Sequence, residues 1–465
     1  MFSADWLRWP AVIVALVLAA LVPGCTGAPA PQENRPNVLL IVVDTLRADR
    51  LGCYGAERET SPAIDQFAAD AVRFERAYST APWTIPSVAS MFTGRFPASH
   101  ATTSFDSQLP DELETLAELL RDSGYRTAGV VSHFALDSRH NFDQGFEVYL
   151  ESEALGHDHL STDGVTRQAV EQLERFAGGD APFLLFAHYF DPHYNYLAHP
   201  EFGFAAASAG RLEGTLPMRL LLQLKSSMSR EEAAFLRDLY DGEIRYTDRG
   251  IGRLLQRLDE LGLKEETVVV LTADHGEEFL DHGKLGHTSS LYEELIHVPL
   301  IVRDPGRKAA GPAVVARPVS LVSLMPTLLG LAWLEFEEDR FQGPSLEPLL
   351  AGHEPDDAAL LLAELDFVPV REGRRVGEVH KKAVLGERFK LIRDDLTGRF
   401  ELYDLAADPR ELTNLAETDA ARLSQLEEAL ARALAFAASG AVAPQLRELD
   451  ESEIERLKSL GYVGD

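Results

Sequence analysis

Four short apolar runs, separated by helical stretches, constrain the fold of this chain most. The first run, Asn37 to Val43, carries no charged side chain, which is typical of a strand buried on both faces of a sheet. Three later runs have the same character: Thr127 to Val131, Phe183 to Ala187 and Val268 to Thr272. Helical patterns lie between them, including Asp111 to Ser123 and Glu231 to Leu261. Strands that alternate with helices predict an α/β fold with a mostly parallel sheet.

Charged residues and histidines follow the ends of the predicted strands. Asp44 follows the first strand, and others follow the third and fourth: His188, Asp191, His193, Asp274, His275, Glu277, His282, Lys284 and His287. Taken singly, each has an ordinary structural explanation. Sites in parallel sheets form beyond the carboxyl ends of the strands, so these side chains are expected to converge at one edge. Carboxylates and imidazoles together are typical ligands of a divalent cation, and the pattern predicts a metal site.

A hydroxyl residue, Thr84, precedes a predicted short helix. Pro86 suits the first position of that helix, and Gly94 suits the position just past its end. Free N–H groups and the helix dipole favour negative charge at such an N-terminus. Thr84 therefore has two interpretations: it caps the helix, or a metal or a base makes its hydroxyl a nucleophile. The metal-type residues elsewhere in the chain favour the second.

Length and charge limit the classes of function. The chain has 465 residues and a formal net charge of −30. Its length predicts one large domain and a smaller one. Nucleic acid is disfavoured as a partner because phosphate backbones require a basic surface. A small anionic substrate stays compatible with this charge, since a bound cation can dominate the local field.

Residues 1–25 have the features of an export signal. Arg8 precedes the apolar run Ala11 to Val22, which is short for a bilayer span and ends close to Cys25. This pattern resembles a bacterial lipoprotein signal, with Cys25 lipidated; a plain secretory signal and an uncleaved anchor are the alternatives. Residues 26–36 are expected to form a flexible linker. We therefore expect an exported protein of the bacterial periplasm or cell envelope, attached to the membrane through Cys25.

Ordered sequence motifs extend from about Pro36 to about Leu415. They are Pro36-Asn37-Val38 with Asp44, Leu51-Gly52-Cys53-Tyr54-Gly55, Thr93-Gly94-Arg95-Phe96-Pro97, Gly124-Tyr125-Arg126-Thr127-Ala128, Asp191-Pro192-His193, Ala273-Asp274-His275-Gly276, His297-Val298-Pro299-Leu300-Ile301 and Glu401-Leu402-Tyr403-Asp404-Leu405. Together they resemble the sulfatase family, within the alkaline phosphatase superfamily. The resemblance implies a three-layer αβα sandwich of the alkaline-phosphatase type, with a small C-terminal antiparallel sheet and helix.

The resemblance also implies a set of metal ligands and catalytic residues. The metal positions of the family fall on four residues: Asp44, Thr84, Asp274 and His275. His193 matches a family histidine and is the expected general acid, then general base, of the reaction. His287 or Lys284 falls near the family's usual cationic residue and is expected to hold the ester oxygens. His188 and Asp191 are expected to be structural or to support the ligands, and His282 is left open between the rim of the site and a ligand.

The departures from the family pattern carry chemical consequences. Thr84 stands where typical sulfatases have a Cys or Ser that is converted to formylglycine, so no formylglycine is expected. Val88 replaces the downstream arginine, Thr45 replaces the second acid of a pair, and Ser132-His133-Phe134 stands where a Lys-x-His element is usual. A covalent intermediate on Thr84 must be released by direct hydrolysis or by transfer, which phosphoryl and phosphonyl groups tolerate more readily than sulfuryl. One cation is expected: Ca²⁺, Mn²⁺ or Zn²⁺.

The function predicted from the residues and the resemblance is metal-dependent ester hydrolysis. The ester is a sulfate or a phosphate or phosphonate, on a small molecule, a glycan or a lipid head group, and the covalent intermediate forms on Thr84. Two alternatives remain open. One is an envelope transferase that moves a phospho-head-group, and the other is a non-catalytic protein that binds anions or glycans through a metal.

Pattern changes along the chain predict its domain boundaries. Residues 37–375 form the predicted catalytic domain, and residues 376–440 a C-terminal subdomain with a small antiparallel sheet and a helix. Residues 441–465 are charged and predict a final helix. The segment 197–230 fits no family motif and is expected to be a lid near the site.

Overall fold

The computed structural model describes most of the chain from residue 35 onward. The described residues are 35–152, 160–193, 196–214, 218–306, 313–355, 361–368, 370–371, 374–375, 377–459 and 463–464. The expected export signal, residues 1–25, and the linker as far as residue 34 lie outside them.

A central sheet of nine strands forms the middle layer of the described chain. Its strands are β1 (Asn37–Val43), β2 (Val72–Tyr78), β3 (Arg126–Val131), β4 (Val148–Leu150), β5 (Phe183–Tyr189), β6 (Thr267–Ala273), β7 (His297–Arg303), β8 (Ala313–Val315) and β9 (Val319–Ser320). Strands β1, β5 and β6 are buried along their whole length, which explains their continuous apolar sequences. The four predicted strands are confirmed as β1, β3, β5 and β6.

Strand β1 lies at the centre of the sheet and sets the position of the site. The strand order is β8-β2-β7-β6-β1-β5-β3-β4, with β9 also paired to β2. Strand β1 is parallel to both neighbours, and Val43 lies opposite Ala273 of β6 and Tyr189 of β5. The residues that follow these three strands therefore meet at one edge. Strand β7 is antiparallel to β2 and β6, so the sheet is mixed, and the pairings away from β7 are parallel.

Helices cover the sheet in two groups. Their bounds are α1 (Pro62–Ala69), α2 (Thr84–Thr93), α3 (Leu116–Asp122), α4 (Thr162–Phe176), α5 (Met218–Leu224), α6 (Arg230–Glu260), α7 (Leu324–Leu331), α8 (Ala420–Ala437) and α9 (Glu451–Ser459). Helix α6 packs against α1 and α4, and α4 packs on β5 and β3. Helices α2, α3 and α7 pack together as the second group. This arrangement is the three-layer αβα fold implied by the resemblance.

Capping residues decide where two of these helices begin. Helix α3 was predicted from Asp111 but begins at Leu116, because Thr115 and Glu118 form a reciprocal capping box. The Thr115 N–H donates to the Glu118 carboxylate at 3.0 Å, and the Glu118 N–H donates to Thr115 Oγ1 at 3.1 Å. The long helix α6 is confirmed within one residue at each end, and Ser229 caps it in the same way.

The C-terminal part adds a second, smaller sheet. Its antiparallel strands are β10 (Leu361–Phe367), β11 (Val379–Leu385), β12 (Phe389–Asp394) and β13 (Arg399–Asp404). Helix α8 packs on this sheet, so the predicted antiparallel sheet and helix are confirmed. Strand β10 lies before residue 376, the expected start of the subdomain. Sequence pattern does not reveal it, because it lacks the period-two alternation of the other three strands. Helix α9 occupies the middle of the expected helical region 441–465.

Short elements complete the described chain. Brief helical turns lie at Pro97–His100, Glu293–Ile296 and Glu347–Leu350, and two-residue strands at Ser107–Gln108, Ser208–Ala209, Leu212–Glu213, Glu278–Phe279, Leu285–Gly286, Val370–Arg371, Arg374–Arg375, Gln445–Leu446 and Val463–Gly464. The segment expected to be a lid, 197–230, contains one of these hairpins and helix α5. None of the helices in the described ranges is both long enough and apolar enough to cross a bilayer.

Candidate active site

The turn after β1 carries Asp44 into the centre of the candidate site. Asp44 is fully buried, and neither carboxylate oxygen accepts a hydrogen bond from a described residue. Thr45 follows with a φ of 56°, in the left-handed region that threonine rarely adopts. The Tyr240 hydroxyl donates to the Thr45 carbonyl at 2.6 Å, and the Thr45 N–H donates to Asp274 Oδ1 at 3.2 Å. These bonds hold the strained turn that positions Asp44.

Asp274 and His275 follow β6 and face Asp44. Asp274 Oδ1 also accepts from the His275 N–H at 2.8 Å, whereas Oδ2 has no hydrogen-bond partner among the described residues. His275 Nδ1 lies 2.9 Å from the Gly276 carbonyl, so Nδ1 carries the proton and Nε2 keeps its lone pair. His275 Nε2 lies 3.5 Å from Asp44 Oδ1 and 3.6 Å from Asp274 Oδ2.

Thr84 is the first residue of α2, and its hydroxyl enters the same cluster. Thr84 Oγ1 lies 3.4 Å from His275 Nε2. The helix begins two residues earlier than predicted, so Pro86 is its third residue. Trp83 occupies the N-cap position, and Thr84 itself is buried inside the first turn. Thr84 is therefore not the capping residue, and its hydroxyl faces the carboxylates and the imidazole.

Both ends of α2 are anchored. The Ser87 hydroxyl donates to the Asp274 carbonyl at 2.7 Å, which ties the first turn to the end of β6. Gly94 ends the helix with a φ of 63°, as predicted for the position past the helix end. A Cβ atom on Gly94 would lie 2.8 Å from the ring of Phe341. The position of Thr84 thus depends on contacts at both ends of the helix.

Three histidines lie on the other side of Asp44. His133 Nδ1 is 3.9 Å and His188 Nε2 is 4.0 Å from Asp44 Oδ2. The ring of His193 lies 5.6 Å from that of His133, and both rings stack on Phe190. His193 follows β5, as the sequence predicts, whereas His188, expected just past a strand that ends at Ala187, is the last residue but one of β5. His133 was noted only as a departure from the family pattern, although it follows β3 at the same edge of the sheet.

His287 is brought into the site and is oriented by Glu277. His287 Nδ1 lies 3.0 Å from Glu277 Oε1, and both side chains are buried. The His287 ring lies 4.6 Å from that of His275 and 4.9 Å from that of His193. Glu277 is among the residues that follow β6, but the sequence predicts no role for it. A carboxylate on Nδ1 fixes the orientation of the His287 ring toward the cluster.

Lys284 and His282 are not brought into this cluster. Lys284 lies in the turn between Glu278–Phe279 and Leu285–Gly286, with an exposed side chain, and its N–H donates to Glu278. Both ring nitrogens of His282 have other partners, the Glu294 carboxylate at 2.7 Å and the Glu411 carbonyl at 3.2 Å. Of the two residues named for the cationic position, only His287 therefore lies in the cluster.

Asp191 serves the fold rather than the cluster. It accepts hydrogen bonds from the Ser161 and Thr162 N–H groups at 3.1 Å and 2.9 Å, and from the Thr162 hydroxyl at 2.7 Å. These groups lie at the start of α4, where a carboxylate satisfies free N–H groups. The expectation that Asp191 is structural agrees with these contacts.

Burial favours the neutral forms of the clustered groups. It raises the pKa of the Asp44 carboxyl well above its usual range, and the nearby Asp274 and Glu277 add to that effect. It lowers the pKa of His275 to about 4, although Asp274 opposes the shift. It also lowers the pKa of His287 to about 3. A bound divalent cation reverses this preference for the carboxylates, because it supplies the charge that burial removes.

The residues fit a divalent cation. Ligand atoms of Asp44, Asp274 and His275 lie within 4.8 Å of one another, and all three residues are buried. The unpartnered oxygens of both carboxylates and the lone pair of His275 Nε2 are the donors that such a site needs. Thr84 Oγ1 adds a hydroxyl oxygen beside them.

Comparison with known proteins agrees with the sequence motifs. The family model described as "Sulfatase" matches residues 36–334, and the model described as "N-sulphoglucosamine sulphohydrolase, C-terminal" matches residues 282–437. A similar protein is the ulvan-active sulfatase of Formosa agariphila, 27% identical over 440 residues, which cover 86% of this chain and 82% of that protein.

Two solved structures have the same fold. The phosphonate monoester hydrolase of Agrobacterium radiobacter superposes with a TM-score of 0.70 at 25% identity, covering 90% of this chain and 99% of that one. A protein solved with its substrate D-glucosamine-2-N,6-O-disulfate superposes with a TM-score of 0.71 at 22% identity, covering 87% and 98%. The chain therefore belongs to the sulfatase family and is an ester hydrolase with the alkaline-phosphatase-like fold.

Proposed function

We propose that this protein hydrolyses sulfate or phosphate and phosphonate esters through a covalent intermediate on Thr84. The observation that carries the proposal is the place of the Thr84 hydroxyl, 3.4 Å from His275 Nε2 in a buried cluster with Asp44 and Asp274. A threonine that served only to start a helix would not need two unpartnered carboxylates and an oriented imidazole beside it.

Four residues would hold the cation: Asp44, Thr84, Asp274 and His275. Three of them offer oxygen and His275 offers nitrogen, a mixed set compatible with Zn²⁺, Mn²⁺ or Ca²⁺ and unlike the all-oxygen sites of Mg²⁺. When bound, a divalent cation lowers the pKa of a coordinated hydroxyl and neutralises charge on ester oxygens.

The bond changes follow from the nucleophile. Thr84 Oγ, as the alkoxide, forms a bond to the sulfur or phosphorus while the bond to the leaving oxygen breaks, and an imidazolium gives its proton to that oxygen. In the second step a water molecule attacks the sulfur or phosphorus, and its proton passes to the same imidazole. Thr84 Oγ then leaves as the alkoxide, so the enzyme is regenerated.

Two imidazoles of the cluster are candidates for that proton transfer. His193 is the general acid expected from the sequence, and it lies edge-to-face on His287 at 4.9 Å. The contact of His287 with Glu277 favours His287, since a carboxylate on Nδ1 fixes the ring and opposes the burial that lowers the pKa of the imidazole. The imidazole that does not protonate the leaving group binds the ester oxygens.

The nucleophile also bears on which ester is cleaved. Thr84 cannot become formylglycine, so its ester must be cleared by water at sulfur or phosphorus. Phosphoryl and phosphonyl groups support that route more readily, and a phosphonate monoester hydrolase is among the structures with this fold. The ulvan-active sulfatase and the glucosamine disulfate complex support an anionic glycan as the carrier of the ester.

Attachment to the cell envelope is part of the proposal. The apolar run before Cys25 supports export and lipidation at that cysteine. Mass spectrometry of the mature N-terminus decides between a diacylated Cys25 and an unmodified residue, and an unmodified N-terminus released to the soluble fraction would reject the anchor.

The test compares Thr84→Ala with Thr84→Ser. Both are assayed on p-nitrophenyl sulfate, phosphate mono- and diesters and a phosphonate monoester, after the protein is stripped of metal and reloaded with single cations. Loss of the nucleophile is expected to lower kcat by about three orders of magnitude or more in Thr84→Ala, whereas Thr84→Ser keeps a hydroxyl and measurable turnover. Wild-type turnover by Thr84→Ala would reject Thr84 as the nucleophile.

A further inference from the structure

The two carboxylate oxygens of Asp44 face two separate groups of ligand atoms. Oδ1 lies 3.5 Å from His275 Nε2, and Oδ2 lies 3.9 Å from His133 Nδ1. Ligand atoms of Asp44, Asp274 and His275 lie within 4.8 Å of one another, and the same holds for Asp44, His133 and His193. Asp44 therefore belongs to both groups, and its Oδ1 contacts His275 while its Oδ2 faces His133.

We infer that the protein binds a second divalent cation, held by Asp44 Oδ2, His133 and His193. Asp44 would then bridge this cation and the one proposed at Asp44, Thr84, Asp274 and His275. The inference goes beyond the proposed function, since the number of bound cations can be measured whether or not an ester is hydrolysed.

The spacing of the donors suits a cation with nitrogen ligands. Ligands at the usual distance from a tetrahedral Zn²⁺ lie about 3.4 Å apart. The 3.9 Å between Asp44 Oδ2 and His133 Nδ1 exceeds that value by an amount that a small side-chain rotation closes. His188 Nε2, 4.0 Å from the same oxygen, is a further nitrogen within reach.

Burial leaves both carboxylate oxygens of Asp44 without a hydrogen-bond partner among the described residues. The exposed fractions of Asp44, His133 and His193 are 0%, 3% and 3%, so water does not solvate the group. Neither oxygen of Asp44 accepts a hydrogen bond from a described residue, and a buried carboxylate needs a compensating partner. A cation held by Asp274 and His275 would compensate Oδ1, and a cation held by His133 and His193 would compensate Oδ2.

Packing against Phe190 fixes the orientation of the His133 and His193 rings. His133 stacks on Phe190 with ring centroids 4.9 Å apart and 12° between the planes. His193 stacks on the same ring at 4.6 Å. Both rings are therefore fixed by packing, which lowers the entropy lost when they bind a cation. With His193 bound to a cation, His287 is left as the proton donor of the proposed reaction.

The test is the metal content of the purified full-length protein. Stripped protein is reloaded with excess Zn²⁺ or Mn²⁺, desalted, and analysed by inductively coupled plasma mass spectrometry. Two cations per chain are expected in the wild type, and one in His133→Ala, in His193→Ala and in Asp274→Asn. The matched control is His287→Ala, which removes an imidazole of the same cluster outside both ligand sets and keeps two cations.

A second readout separates bridging from independent binding. Two Mn²⁺ ions on one carboxylate, about 3.5–4 Å apart, give an exchange-coupled electron paramagnetic resonance spectrum. That coupling is expected in the wild type and lost in His133→Ala, and circular dichroism checks that each variant is folded. One cation per chain in the wild type, or two in both histidine variants, overturns the inference and assigns the imidazoles to substrate oxygens. Failure of the proposed function would appear instead as turnover by Thr84→Ala.

Discussion

At the residue scale, the cluster depends on Asp44, Asp274 and His275, which directly follow two neighbouring parallel strands, β1 and β6. The register of β1 with β6, Val43 opposite Ala273, brings the next residues of both strands side by side. His133 and Glu277 could not be assigned in this way. The partner of Glu277, His287, lies ten residues further along, and only the folded loop brings the two side chains to 3.0 Å.

Lys284 illustrates the limit of spacing arguments. It lies three residues from His287, so the sequence could not decide which of the two enters the site. The hairpin pairing of Phe279 with Leu285 leaves Lys284 in the turn with its side chain exposed, whereas His287 is buried. A pairing over two residues is too short to be read from hydrophobic pattern.

At the residue scale, Glu277→Gln is expected to weaken the proton donor without emptying the site. Glutamine keeps the size of the side chain but cannot stabilise a charged His287 ring. We expect kcat to fall by about 10–100-fold with little change in KM. The fall should be larger for esters with poor leaving groups than for p-nitrophenyl esters, because a good leaving group needs less protonation.

The matched control is Glu266→Gln, an exposed glutamate just before β6, at the end of that strand opposite to Asp274. It is expected to behave as the wild type. An equal loss by Glu277→Gln on good and poor leaving groups would contradict the role of the pair and indicate a purely structural effect.

At the scale of elements, α2 is the part of the fold on which the nucleophile depends. Its apolar composition and the glycine at its end were readable from the sequence, but its first residue was not. Pro86 is acceptable at the third position because the first-turn N–H groups have no intrahelical partner, so proline fits the start and the third residue alike. The packing of Trp83 and the bond from Ser87 to the Asp274 carbonyl select the earlier start.

Gly94→Ala is expected to destabilise the protein through this element. Alanine at a φ of 63° is strained, and its Cβ would lie 2.8 Å from Phe341. The backbone strain and the clash with Phe341 together should lower the free energy of unfolding by about 2–4 kcal/mol. Denaturant titration measures this change. In the control Gly262→Ala, φ is 74° and no atom lies within 4 Å of the added Cβ, so only the strain of about 1 kcal/mol is expected. Equal losses of stability in the two variants would contradict the predicted clash with Phe341.

The hairpin that contains His282 has a pH-dependent contact. Burial disfavours the charged ring, but the hydrogen bond and charge of Glu294, helped by the Glu411 carbonyl, raise the pKa of His282 to about 9. Because the folded pKa lies above the unfolded value of about 6.5, the contact stabilises the fold fully below that pH. The stabilisation declines as the pH rises and is lost above about pH 9.

Thermal melts of His282→Gln across this range provide the check. The variant should be less stable than the wild type by about 1–2 kcal/mol at pH 6, after allowance for solvent screening. The two proteins should converge near pH 9. A difference that grows with rising pH would contradict the assigned contact.

At the scale of the whole molecule, the central and C-terminal sheets are joined by buried charges. Lys390 of β12 is fully buried and pairs with Glu293 at 3.1 Å and with Glu411 at 2.9 Å. The sequence indicated a separate C-terminal subdomain because its strands alternate with period two. The sequence could not show that β10 belongs to that sheet. Its pairing with β11 joins residues that are up to 24 positions apart, and no local pattern in β10 indicates it.

The central claim about this protein is that Thr84 becomes esterified during turnover. The most direct measurement is rapid acid quenching during turnover of a slow substrate, followed by peptide mass spectrometry. The account predicts an adduct of one sulfuryl, phosphoryl or phosphonyl group on the peptide that contains Thr84, and no adduct in Thr84→Ala. An unmodified Thr84 peptide throughout turnover, together with wild-type rates in Thr84→Ala, would contradict it.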